Sequence, residues 1–415
     1  MKSITLSLFT VFLTLSLGQA QEWTRFRGPN GSGIGKTTGL PNEFTPADQE
    51  WRIKLDGVGH SSPVLWGENL YLTILAPDGK TRKLLCFDAT SGKQKWEFAA
   101  DVAEHHQHRF NTFASSTPTV DENGVYAVWG SGTRTIALGL NHKGDKLWER
   151  EWDGFTSDHG QAASPVLIQG VLVFHADSKD DYKSQVRALD PKTGDDIWEL
   201  ERITPSGDDK HFSAYSTPVE VMAGGRPTIA VVQTNDGWKG LDPKNGSVAW
   251  AYDGDYKFRS VGSIVENNGQ LFASFGSGGD GKQSSALKPN ETDKPDVLFS
   301  LEKGSGLGYV PTPLIHDGLL YLWGDGGILT VRDAKTGEEI YKERVIGNYF
   351  SSPIITGGKI YCGSKDGELI CAALGRKFEI LGRSKLSAGM NATPAVALGR
   401  IFIRTDTHLF SVKGK

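Results

Sequence analysis

Short apolar runs, alternating with polar positions, recur along this chain from Glu50 onward and are separated by clusters of Gly, Asp, Asn and Ser. A period of two broken by turn residues predicts short antiparallel strands. The unit reads most clearly between Ser164 and Trp198. Ser164-Pro165 opens onto Val166 to Ile168, a turn at Gln169-Gly170 leads into Val171 to His175, and a longer link reaches Val186 to Leu189. Asp190-Pro191-Lys192-Thr193-Gly194 then turns into Ile197-Trp198. Four such strands in succession make an antiparallel meander.

A small hydroxyl residue opens this unit eight times, as Ser62-Pro63, Thr117-Pro118, Ser164-Pro165, Thr217-Pro218, Ser263-Ile264, Thr312-Pro313, Ser352-Pro353 and Thr393-Pro394. The intervals are 55, 47, 53, 46, 49, 40 and 41 residues. One four-stranded propeller blade takes about 40–50 residues. The closing hairpin recurs from Asp88 to Trp96, Asn141 to Trp148, Asp242 to Trp250 and Asp333 to Tyr341. In each, Asp or Asn can hold the turn, Gly supplies the positive φ, and the final aromatic lies on the fourth strand, where it can pack between blades. The fifth unit ends in Phe299, and the eighth stops three strands in, after His408 to Val412. Glu50 to Leu55 carries Trp51 at the matching place and supplies the missing strand, which closes the ring and hides an edge. The expected fold is all-β, an eight-bladed β-propeller of four-stranded antiparallel blades, closed by pairing an N-terminal strand with the last blade. The eight hydroxyls read as structural, holding the strand entrance before an extended step into proline.

Lys2, the apolar stretch from Ile4 to Leu17 and the small residues Gly18 to Ala20 form an export signal, with cleavage between Ala20 and Gln21. The apolar run is shorter than the roughly 20 residues of a spanning helix. The chain therefore divides into a signal peptide over 1–20, a capping lead-in segment over 21–49 and a propeller over 50–415, with a periplasmic or secreted location. No transmembrane segment is expected. The net charge of −4 leaves no basic footprint for nucleic acid. The run from Asn30 to Thr37 ends Gly35-Lys36-Thr37 like a phosphate loop, but Asn30 stands where that pattern needs glycine, and no strand and helix flank it.

Three cysteines are too few for a disulfide scaffold. If Asp366-Gly367 is a two-residue turn, Cys362 faces Cys371 and the pair can close in an oxidising compartment. The alternative is two small buried apolar residues in adjacent strands. Cys86 holds the place of Cys371 in its own unit and reads as a buried free thiol.

The opening Ser-Pro or Thr-Pro, with the Leu-Asp-Pro-Lys-Thr-Gly-x-x-x-Trp hairpin, resembles the pyrroloquinoline-quinone-type (PQQ-like) propeller repeat of exported bacterial proteins. The resemblance runs from about Trp51 to the C-terminus, and Trp23 to Gly35 resembles the segment preceding such propellers. The family includes quinoprotein alcohol dehydrogenases and the outer-membrane assembly lipoprotein of the β-barrel assembly machine. In the enzymes, the resemblance implies a quinone bounded by a tryptophan and a disulfide between adjacent cysteines, with calcium or a lanthanide held by Glu, Asn and Asp. This chain has no adjacent cysteines. It also has Gln21, not the anchoring cysteine of a lipoprotein, at the first mature position.

The links into each first strand should cluster at the mouth of the central channel. They carry His60; His105, His106, His108, Arg109 and Asn111; Asp158, His159 and Gln161; His211 and Tyr215; Arg259; Tyr309; Tyr349; and Met390 and Asn391. Six of the ten histidines fall in the first four links, which sets these apart from the rest of the repeat. The ligand-binding candidates are His60, His108, Arg109, His159, Gln161, His211, Tyr215, Arg259, Tyr309, Tyr349 and Asn391. His105 and His106 lie furthest from the strand and read as bystanders. His159 and His211 are the candidates should a metal bind, although none is expected.

The leading expectation is a non-catalytic binding or scaffold module, monomeric, which takes a protein, peptide or glycan at one propeller face. The alternatives are a quinoprotein oxidoreductase with pyrroloquinoline quinone and calcium, and a metal-dependent hydrolase or lyase on the histidine-rich mouth. No resident cofactor is expected.

Overall fold

Every predicted unit folds as one antiparallel sheet. The computed structural model describes residues 23–106, 108–154, 157, 159–178, 184–202 and 214–415. Among these, thirty-two strands form eight four-stranded sheets, each in meander order from the inner to the outer strand. The expected export signal and its expected cleavage site, Ala20-Gln21, lie outside the described residues. No helix among the described residues is long and apolar enough to cross a membrane.

The closing hairpin shows why the sequence repeats as it does. Asp88 accepts the N–H of Thr90 and Ser91 on one carboxylate oxygen, at 3.2 and 2.9 Å, and Gly92 donates to the Asp88 carbonyl at 2.8 Å. Gly92 has φ 71°, a conformation that costs a residue with Cβ about 1–2 kcal/mol. The same glycine is also a seat. A Cβ there would come within 2.6 Å of the Trp51 ring of the preceding blade, whose indole N–H donates to the Ala89 carbonyl at 3.0 Å. Trp96 sits likewise on Gly144, Trp148 on Gly194, Trp198 on Gly246 and Phe299 on Gly337. The indoles of Trp96, Trp148 and Trp198 bond the carbonyls of His142, Pro191 and Pro243. In these five blades the last strand is thereby fastened to the next blade's turn.

Trp250 packs in the apolar layer between its blade and the next, as expected, but its indole is fastened differently. Its indole donates to Thr228 within its own sheet at 3.1 Å. The turn of the following blade, Asn290-Glu291-Thr292-Asp293, has no glycine at its tip to offer a seat.

Gln49–Lys54 pairs antiparallel with His408–Lys413 and completes the eighth blade, with Lys54 opposite His408 and Arg52 opposite Phe410. Glu50 and Arg400 reinforce this seam through an ion pair at 2.6 Å. Between blades lie apolar layers, such as Tyr71, Leu84 and Cys86 against Val125, Ala127 and Leu138.

The cysteine pair does not form. Cys362 faces Ile370, and Cys371 faces Tyr361. The hairpin turns through three residues, Lys365 to Gly367, and the Ser364 N–H donates to the Glu368 carbonyl at 2.7 Å. The extra turn residue slips the register by one, which places the two thiols on opposite faces of the sheet. They are buried in different apolar layers and free, as is Cys86 opposite Tyr71.

The lead-in segment caps the channel. Its carbonyls at Trp23 and Thr24 accept from Leu65 and Val120, and Ile34 bridges in parallel to Ile355. Arg25 donates to the Pro218 carbonyl. Arg27 donates to the carbonyls of Thr312 and Pro313, both at 2.7 Å, and of Gly31 at 3.1 Å. All these partners lie at or beyond the hydroxyl position along the first strands, so the segment crosses the face opposite the mouth, with Phe26 on the channel floor.

Candidate ligand and partner site at the channel mouth

The eight hydroxyl residues line a central cavity of about 130 Å³ together with Phe26, His60, Ser115, Tyr215, Phe350 and Asn391. They bond one another in a ring. The N–H of Ser62 donates to Thr117 Oγ1, that of Thr117 to Ser164 Oγ, that of Thr217 to Ser263 Oγ and that of Ser263 to Thr312 Oγ1, at 2.8–3.0 Å. The N–H of Thr312 then donates to Ser352 Oγ, that of Ser352 to Thr393 Oγ1, and that of Thr393 back to Ser62 Oγ, at 3.0–3.1 Å. These hydroxyls therefore clasp neighbouring blades; they do not hold the entrance of their own strands.

Above the ring, the links from five successive blades converge as expected. The rings of His108 and His159 lie 4.5 Å apart, and His159 meets Tyr215 edge-on at 5.9 Å. Arg259 Nη1 lies 3.5 Å from His159 Nε2 and donates to the Tyr309 hydroxyl at 3.2 Å. Asn111 bonds the His159 carbonyl, and the Tyr215 and Ser157 hydroxyls are 2.9 Å apart. Burial, then Arg109 and Arg259, lowers the pKa of His108. Burial, then Arg404 and Lys365, holds His60 down at about 4, so it is neutral at neutral pH. Asp158 and His211 lie outside the described residues.

Two candidates sit elsewhere. Tyr349 is fully buried, packs edge-on to Trp323 at 5.3 Å and donates to the Ile346 carbonyl, so it braces its link and does not face a ligand. Gln161 turns toward a side pocket lined by Arg82, His105 and Phe113, which also gives His105 a structural neighbourhood.

Reading the links alone passes over half of this face. Antiparallel meanders return a second set of loops to the mouth, those between the second and third strands. They bring Asp325, Lys365, Asp366 and Asp406. Asp325 accepts the N–H of Tyr309 at 2.7 Å and of Val310 at 3.2 Å, and burial pushes its pKa up to about 6. Asp366 accepts the Asn348 N–H at 2.8 Å, and Asp406 accepts from the Asn391 amide at 2.9 Å. These mouth carboxylates brace the links.

The long link after the first blade arches across the mouth. Its Phe110 meets Phe350 of the opposite side edge-on at 5.5 Å. Lys365 Nζ stands 3.7 Å from the Phe350 ring and 4.5 Å from Phe110, while the Arg109 guanidinium lies 4.6 Å from Phe110 on its own link. Phe110 nevertheless keeps 46 % of its surface exposed, and Ile346 and Val58 project from neighbouring links at 67 % and 51 %. The mouth thus presents cations, apolar side chains and the exposed carboxylates of Asp366 and Asp406 on braced backbone.

The quinone and its ion require a pocket and a donor set. Ligand pockets measure about 300–1,000 Å³, whereas this cavity holds about 130 Å³. The three thiols lie buried in separate strands, and the Asp325, Asp366 and Asp406 carboxylates are engaged with their links. The residues present do not fit that group.

No curated protein matches the chain in sequence. Among solved structures, a europium-containing methanol dehydrogenase aligns at a TM-score of 0.69 and 12 % identity, over 93 % of this chain and 90 % of its own. BamB from Moraxella catarrhalis aligns at 0.62 and 16 %, over 88 % and 97 %. A quinohemoprotein alcohol dehydrogenase from Comamonas testosteroni aligns at 0.65 and 12 %, over 97 % and 82 %. These likenesses share the propeller architecture and divide between two functions. A family model described as outer membrane protein assembly factor BamB matches residues 45–226, 157–280 and 276–377. Covering most of the propeller, that match places the chain in the PQQ-like repeat family to which the BamB model belongs.

Proposed function

We propose that this protein is an exported, non-catalytic binding module that docks a protein or peptide partner on its channel mouth. The observation that carries this reading is the arch of Arg109 and Phe110 over Phe350 and Lys365, which roofs the channel while leaving cations and apolar side chains outward. Such a surface suits an acidic segment carrying an apolar residue, which fits Phe110 and Ile346 between Arg109 and Lys365. The family model's description as an assembly factor agrees with a partner-binding role.

A quinoprotein role is disfavoured by the small cavity and the engaged carboxylates. A divalent metal on the histidines is disfavoured by Arg259, whose cation lies beside His159. No cluster of three His, Cys, Asp or Glu ligands forms among the described residues.

The test is a photo-crosslinking amino acid placed at Phe110 or Ile346 in living cells, with Leu147 on the outer strand as control. A discrete protein adduct from the mouth positions, lost in the Arg109→Glu, Lys365→Glu double variant, is the expected result. Tight binding of pyrroloquinoline quinone with calcium to the purified protein, accompanied by dye-linked alcohol oxidation, would replace this reading with the enzymatic one.

A further inference from the structure

We propose that the hydroxyl ring holds a small monovalent anion on the propeller axis, one layer below the mouth and independent of the partner face. A hydroxyl carries one proton and two lone pairs. Seven of the eight oxygens spend a lone pair on a neighbouring blade's N–H, and among the described residues none of the eight protons has a protein acceptor. All eight residues are buried and border the cavity, so their donors have the axis as their common target. Thr217 is the clearest of them. It is 2 % exposed, lines the cavity, and its hydroxyl makes no hydrogen bond among the described residues.

Charge distinguishes an anion from water alone. Arg25 and Arg27 flank Phe26 on the lead-in segment, bonded to the carbonyls of Pro218 and Thr312 beside or within the ring. Arg404 is bonded to the carbonyl and hydroxyl of Ser61, next to Ser62, at 2.8 and 2.7 Å. Of the other buried arginines, Arg187 pairs with Asp196 and Glu199, Arg202 with Asp177 and Arg332 with Glu339, while Arg82 is held by the carbonyls of Phe113 and Gly130 with no carboxylate partner among the described residues. Arg25, Arg27 and Arg404 make no ion pair among the described residues, and burial depresses all three to about 9. A buried cation without a counter-charge is costly. Glu220 and Asp406 attract Arg25 and Arg404 only from beyond ion-pair distance, so water would satisfy the hydroxyl protons but leave much of that positive field unbalanced. A halide or a small carboxylate answers both demands, and the cavity of about 130 Å³ admits one with a few waters.

Bromide is the probe. Crystals grown in sodium bromide should show an anomalous peak on the axis at the level of the ring. In solution, the Tm should rise saturably with bromide relative to sodium gluconate at equal ionic strength. Thr217→Val removes one donor while preserving shape and breaks none of the interblade bonds. It should keep its Tm in gluconate and weaken the bromide response about tenfold, the factor expected for one hydrogen bond to a charged group. An axis without anomalous signal in bromide crystals of the wild-type protein, or a Thr217→Val response equal to wild type, would overturn the proposal. The crystallographic arm decides the matter even if the variant misfolds.

Discussion

Glycines with the same backbone angle carry different obligations in this molecule. Gly246 has φ 71° and a Cβ placed there would meet the Trp198 ring at 2.6 Å, whereas Gly170 has φ 81° and open space around it. Gly170→Ala should therefore cost only the left-handed backbone term, about 1–2 kcal/mol. Gly246→Ala should add about 1–3 kcal/mol of overpacking and unseat the indole from Pro243. Urea midpoints of the two variants measure the difference directly, and equal losses would mean that the aromatic seat contributes nothing. This pairing of turn and aromatic was legible in the sequence, because Asp, Gly and Trp recur at fixed offsets that local turn chemistry explains. The exception at Trp250 was not legible, since it depends on a turn in the next blade lacking glycine at its tip.

At the scale of the element, the lead-in segment is held by side chains that look out of place on a buried surface. Arg27 is fully buried, and its guanidinium reaches four carbonyls, those of Gly31, Ser32, Thr312 and Pro313. Arg27→Ala would strand those acceptors and should cost about 3 kcal/mol or more. Arg27→Lys should recover little, because a point charge on a flexible stem cannot reproduce the planar fork. Thermal midpoints should fall in both variants, with cleavage by added protease appearing first within 23–48. A cut appearing first within the blades would argue against a capping role. Sequence indicated a cap here by excluding a phosphate loop, yet gave no sign that Phe26 would reach the axis. The hairpin of Cys362 and Cys371 failed for a related reason: a three-residue turn and a two-residue turn look alike in Lys365-Asp366-Gly367, and one residue of slip changes which face each thiol occupies.

For the whole molecule, the fold was readable because eight copies of one unit average out local ambiguity, and because Trp51 marked the strand that belongs to the last blade. The site was only half readable. Links immediately upstream of the hydroxyl residues were found from the repeat, and His108, His159, Tyr215, Arg259 and Tyr309 do converge. Lys365, Asp325 and Asp406 arrive from the other loop set, whose position follows only once strand direction is fixed.

The clasped hydroxyls make the channel wall a hoop that resists radial spreading, and the hoop has one stitch missing. Every joint but the one between Ser164 and Thr217 is closed by an amide-to-hydroxyl bond. Any widening of the pore should start at that seam, so that the third and fourth blades part before any other pair. Hydrogen exchange at the Ser164 amide, faster than at Thr117 or Ser263, is the expected signature, and uniform exchange around the hoop would mean it has no preferred place to open.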